Sequence, residues 1–74
     1  MSDLIDRGEE IYQKIKPRLK GNEGKMIAID VDSGDYFIGE DPLEACDKGN
    51  EKYPNKLFYI TKIGAKAAFF VGAL

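Results

Sequence analysis

Seventy-four residues suffice for one domain and leave little interior for a deep pocket. Thirteen acidic and eleven basic residues give a net charge of −2 and lie mixed along the chain. That disfavours the broad basic face on which non-specific nucleic-acid binding rests. With no histidine and a single cysteine, Cys46, an internal disulfide, imidazole-based triads and a cysteine–histidine zinc cluster are excluded.

The chain is 43% hydrophobic, with four Phe and four Tyr, and reads as globular. The longest apolar stretch, Ala67 to Leu74, is too short to span a membrane, and no signal peptide is visible. A lone thiol suits a reducing compartment, so the expected location is cytoplasmic. Association would help so small a domain, and a homodimer is one expected form.

The first segment is helical. Leu4, Ile5, Gly8, Ile11, Tyr12, Ile15 and Leu19 recur at three- and four-residue steps and share one face. Ser2 or Asp3 caps its start. Gly8 costs up to about 1 kcal/mol in a helix interior, and its benefit would be close approach to a sheet. Pro17 biases Lys16 away from helix, so the regular helix ends or kinks there. The basic residues Lys14, Lys16, Arg18, Lys20 and Lys25 then read as a solvated end matched to the helix dipole.

Lys25 to Val31 reads as a strand, Asp32-Ser33-Gly34-Asp35 as a turn, and Tyr36 to Ile38 as a second strand, together a β-hairpin. The next helix has the best start signal in the chain: Asp41 as cap, Pro42 first and Glu44 third. Leu43, Cys46, Gly49, Asn50 and Tyr53 mark its inner face, and Pro54 stops it. Leu57 to Ile63 is the strongest strand, with Leu57, Tyr59, Thr61 and Ile63 on one side. Gly64-Ala65 turns the chain into a fourth strand, Ala67 to Val71, which Gly72 ends.

The order α-β-β-α-β-β predicts a single α+β domain over residues 1–74, with an N-terminal helix over 1–20 and a hairpin–helix–hairpin core over 25–72. The expected architecture has two layers: a mostly antiparallel four-stranded sheet with both helices on one face. The bare face would carry Ala28, Asp30, Phe37, Phe58, Ile60 and Phe70, apolar enough to be an interface.

The run from Asp30 to Glu40 admits three readings. The plainest is a hairpin turn, because Asp, Ser and Gly are what such a turn requires. A divalent-cation site would use Asp30, Asp32, Asp35 and Glu40, but the spacing departs from a helix–loop–helix calcium loop at its sixth and twelfth positions. Asp32-Ser33-Gly34 also resembles the Asp-Thr/Ser-Gly signature of retroviral-type aspartic peptidases, and Phe69-Phe70-Val71-Gly72 their later apolar-apolar-Gly element. That resemblance implies a homodimer in which two copies of Asp32 share a proton. The capped helix interrupts the strand order that such a fold needs. Cys46 sits on an apolar helix face with no base to activate it and reads as core. Lys62 and Lys66 flank the last turn and read as edge protection rather than an anion site. The four tyrosines read as core residues with hydrated hydroxyls.

From Gly24 to Gly72 the chain resembles a small prokaryotic family of uncharacterised proteins. The shared pattern is Ile29-Asp30-Val31-Asp32-Ser33-Gly34-Asp35-Tyr36-Phe37-Ile38-Gly39, then Pro42-Leu43-Glu44-Ala45, Tyr53-Pro54, Phe58-Tyr59 and Ile63 to Ala68. It implies no established activity. A shorter likeness, from Gly39 to Tyr53, links the chain to HicB-type antitoxins, although this chain begins with a helix and appends no DNA-binding segment. The functional expectation is a cytoplasmic protein-interaction module, antitoxin-like or accessory, without cofactor. A protein partner or a second copy would bind through Phe37, Phe58 and Ile60, with Asp30 and Asp35 nearby, and neither membrane nor nucleic acid is expected as a partner. An enzyme is the weaker reading, with Asp32 as its catalytic acid.

Overall fold

The computed structural model describes residues 3–64 and 69–73, with residues 3 and 69–73 described by their backbone. Helix α1 spans Asp3–Ile15 and continues into a 3-10 turn, Lys16–Leu19. Strands β1 (Met26–Ile29) and β2 (Tyr36–Gly39) form a hairpin, α2 covers Pro42–Lys52, and β3 (Leu57–Lys62) and β4 (Phe69–Ala73) follow. The change to 3-10 geometry begins at Lys16, where Pro17 removes an amide donor and restricts the residue before it. Ser2, as a cap for α1, lies outside the described residues. So do Ala65 of the last turn, Lys66, and the expected start of β4 at Ala67. Strand β4 runs on to Ala73, placing Gly72 inside it, opposite Phe58.

Among the described residues the fold is α+β, with two helices and an antiparallel sheet in the order β2-β1-β3-β4. Strands β2 and β3 both run opposite to β1, so α2 joins two strands of the same direction with β1 between them.

The helices do not share a face. Tyr12, Ile15 and Leu19 pack with Ile27, Ile29, Tyr59 and Ile63 in one cluster. Ala45 and Cys46 pack with Met26, Ala28, Phe58 and Ile60 in another. Alternate residues of a strand point to opposite faces, so α1 covers one side of the sheet and α2 the other. The expected two-layer arrangement is therefore corrected to three layers. Both residue parities of β1 and β3 are apolar, and each face needs a cover.

Gly8 explains how α1 comes so close. A Cβ built there would lie 2.2 Å from Tyr59 Cγ and 2.5 Å from its Cβ. At its start α2 follows its signals, with Asp41 Oδ1 accepting from Glu44 N at 2.8 Å. Glu44 Oε1 reaches back one residue further than a standard capping box and accepts from Glu40 N at 2.5 Å. Leu43 departs from the expected inner face. It stands in the first turn, before α2 reaches the sheet, and is 62% exposed.

Candidate functional site

The face expected to bind a partner is occupied from within the chain. Phe58 is fully buried and Ile60 is 3% exposed, both beneath α2. Phe37 is half-buried and meets Tyr53 and Phe58 edge-on, with ring centroids 6.3 Å apart in each pair. Phe37, Phe58 and Ile60 are thus core anchors for α2 and not surface anchors for a partner. The physical reason is the second helix layer, which the strand pattern required and the expected architecture left out.

Asp30 is also removed from that surface. It is 1% exposed and organises the turn that follows β1. Its Oδ1 accepts from Asp32 N at 3.2 Å and its Oδ2 accepts from Ser33 Oγ at 2.9 Å. Ser33 Oγ in turn accepts from Asp35 N at 3.1 Å. The Asp30 carbonyl accepts from Gly34 N at 2.7 Å, and its amide donates to Asp35 O at 2.9 Å. A buried carboxylate is tolerated when its oxygens meet donors, and here the turn supplies them. Gly34 closes the loop at φ +83°, a left-handed conformation that glycine adopts without a Cβ clash.

The other acids of the turn are held apart by separate cations. Lys56 Nζ lies 2.5 Å from Asp32 Oδ2 and 4.0 Å from Asp30 Oδ1. Asp32 is held below its ordinary carboxylate range, first by the Lys56 hydrogen bond and charge, with a smaller contribution from Arg7. Asp35 Oδ2 accepts a short hydrogen bond from Tyr53 Oη and pairs with Lys52 Nζ at 3.1 Å. Those two contacts, Tyr53 first, hold its carboxyl low. Glu40 lies beyond β2 and pairs with Lys25 at 3.4 Å.

The candidate cation ligands Asp30, Asp32, Asp35 and Glu40 are therefore not brought together. Among the described residues no group of three His, Cys, Asp or Glu side chains is placed to hold a metal. Asp32 as a peptidase acid would have to share a proton with a second carboxylate, whereas Lys56 favours its ionised form. Cys46 is buried, and burial, then the neighbouring Asp47 charge, pushes its thiol up, away from a reactive thiolate. Tyr12 and Tyr59 are buried with their hydroxyls bonded inside the protein. Gly64 N donates to Tyr12 Oη at 3.1 Å, and Tyr59 Oη donates to Glu9 Oε2 at 2.6 Å. The expectation of hydrated hydroxyls is corrected at those two positions and at Tyr53, whose hydroxyl is held by Asp35.

What the residue pattern did not single out is a groove on the α1 side, where the first turns of α1 meet the ends of β1 and β3. Its volume is about 400 Å³, and it is lined by Leu4, Arg7, Val31, Asp32, Lys56 and Leu57, with Asn55 at the edge. Leu57 has the parity of the buried Tyr59 yet is 52% exposed, because it starts its strand beyond the cover of α1. Arg7 Nη2 donates to Val31 O at 3.2 Å, and Nη1 lies 3.8 Å from Asp32 Oδ1. Arg7 and Val31 are 24 residues apart, so no local sequence signal could reveal the groove.

Fold and site together define a small α/β/α sandwich whose acidic turn is a structural lock beside a partly apolar surface groove. No known family model, curated protein or solved structure matches the chain. No helix among the described residues is long and apolar enough to cross a membrane.

Proposed function

We propose that this chain is a small protein-binding module that docks a partner segment in the groove between α1 and the ends of β1 and β3. The observation that carries this reading is Leu57, a large apolar side chain half-exposed in a concavity with Leu4 and Val31 and rimmed by charge. Anchors at interfaces are apolar residues set in pockets with a polar surround. An accessory or antitoxin-like subunit is a role such a module would serve. The chemistry needed for an enzyme lacks support, because Asp32 is engaged by Lys56 and Cys46 is buried.

Affinity capture of the tagged full chain from its host, with the stoichiometry of co-eluting proteins, tests the reading. Leu57→Glu should abolish capture of a stoichiometric partner, while Leu43→Glu, on the exposed start of α2, should leave it intact. A partner retained equally by both variants would place the contact elsewhere. Nothing retained by the wild-type chain would remove the proposal.

A further inference from the structure

We infer that the groove selects a peptide segment carrying an acidic side chain next to an aliphatic one, with Arg7 receiving the carboxylate and Leu57 the aliphatic group. This rests on the protein-binding reading of the same groove. Donor direction rather than net charge sets the selection, since Asp30, Asp32 and Asp35 balance Arg7, Lys52 and Lys56 around the turn. Asp32 is already engaged, because its Oδ2 lies 2.5 Å from Lys56 Nζ. Asp30 is buried and turns its oxygens to Asp32 N and Ser33 Oγ. Arg7 stands differently. One end of its guanidinium is fixed by the Val31 carbonyl at 3.2 Å, while the other makes only a loose ion pair with Asp32 at 3.8 Å, beyond hydrogen-bond reach.

Arg7 is 51% exposed and a guanidinium carries five N–H donors in a rigid fork. It is therefore oriented beforehand, with donor capacity left for an incoming carboxylate, and such paired charge-assisted bonds are strong and directional. The apolar side of the groove, Leu4, Val31 and Leu57, lies beside it and sets what must accompany the acid. A segment bearing only charge would leave Leu57 in water. One bearing only aliphatic groups would cover the fork without engaging it.

Titration of the isotope-labelled full chain with blocked Glu-Leu, Gln-Leu and Glu-Ser tetrapeptides tests the inference by amide shift perturbation. The expected result is shifts centred on Arg7, Val31 and Leu57 with Glu-Leu. Affinity should fall about tenfold with Gln-Leu and with Arg7→Gln, and recover in part with Arg7→Lys. Equal affinity for Glu-Leu and Gln-Leu, or no groove shifts at millimolar peptide, would overturn the selection of an acid. If Leu57→Glu still abolishes partner capture in that case, the groove stands as a docking site and only its stated chemistry falls.

Discussion

At the residue scale, two positions show how much a single atom decides. Gly8 has to be glycine because the root of the Tyr59 side chain occupies the space that a Cβ would fill. Tyr59 is 1% exposed and cannot swing aside, so the helix or the strand must move. A 2.2 Å approach to the root of a buried ring lies at the upper end of overpacking costs, roughly 2–3 kcal/mol, against about 1 kcal/mol gained from better helix propensity. Gly8→Ala should therefore lower stability by about 1–2 kcal/mol, seen as an earlier urea midpoint. A variant as stable as the wild type would mean that α1 does not sit so close. Asp30 is the second case. The turn presents donors to both its oxygens, and an amide offers one acceptor where two are needed. Asp30→Asn should cost about 1–3 kcal/mol in the same assay, with the hairpin amides losing hydrogen-exchange protection first. Loss confined to α1 would show that the turn is held by something else.

At the scale of elements, α2 is the best-specified unit in the sequence and the one whose placement matters most. Its start is fixed by Asp41, Pro42 and Glu44 acting on local amides, all within five residues, so a reading of the chain can find it. Removing the cap with Asp41→Ala should cost about 1 kcal/mol of global stability and fray the first turn. An unchanged thermal midpoint would show that Pro42 and Glu44 hold the start alone. Where α2 lies is another matter. Its inner residues Ala45 and Cys46 fix which side faces inward but not which face of the sheet receives it. The same ambiguity turned Phe37, Phe58 and Ile60 from core into an apparent interface.

At the scale of the whole molecule, long-range pairs tie the acidic turn to the two helical layers. Arg7 of α1 reaches Val31 and Asp32, and Lys52, Tyr53 and Lys56 reach Asp35 and Asp32 from the end of α2 and beyond. Their pH dependence has a definite sign. Asp32 and Asp35 have folded pKa values below their unfolded ones. Their contribution is complete above about pH 4 and is lost as pH falls through the lowered folded values. At the alkaline end the order reverses. Burial, then the bond to Glu9, raises the Tyr59 phenol well above its usual range, and the Asp35 and Asp32 contacts raise Lys52 and Lys56. Stability is then complete below about pH 10 and declines above it. Urea midpoints taken between pH 2.5 and 11 should fall at both ends. Asp32→Asn should flatten the acid limb and Tyr59→Phe the alkaline one. An acid limb unchanged in Asp32→Asn would remove the Lys56 pair from the account.

What is local is legible in the chain: the two helices, the start of α2, the hairpin with its Asp-Ser-Gly turn and the strong third strand. Each rests on periodicity, capping or turn chemistry within a few residues. Only the tertiary structure decided that the helices lie on opposite faces, that Asp30 is buried, and that Leu57 is exposed beside Arg7. A strand with apolar residues of both parities states that both faces want cover but not which element supplies it. Contacts such as that of Arg7 with Val31 join residues 24 apart, and nothing short of the folded chain brings them together.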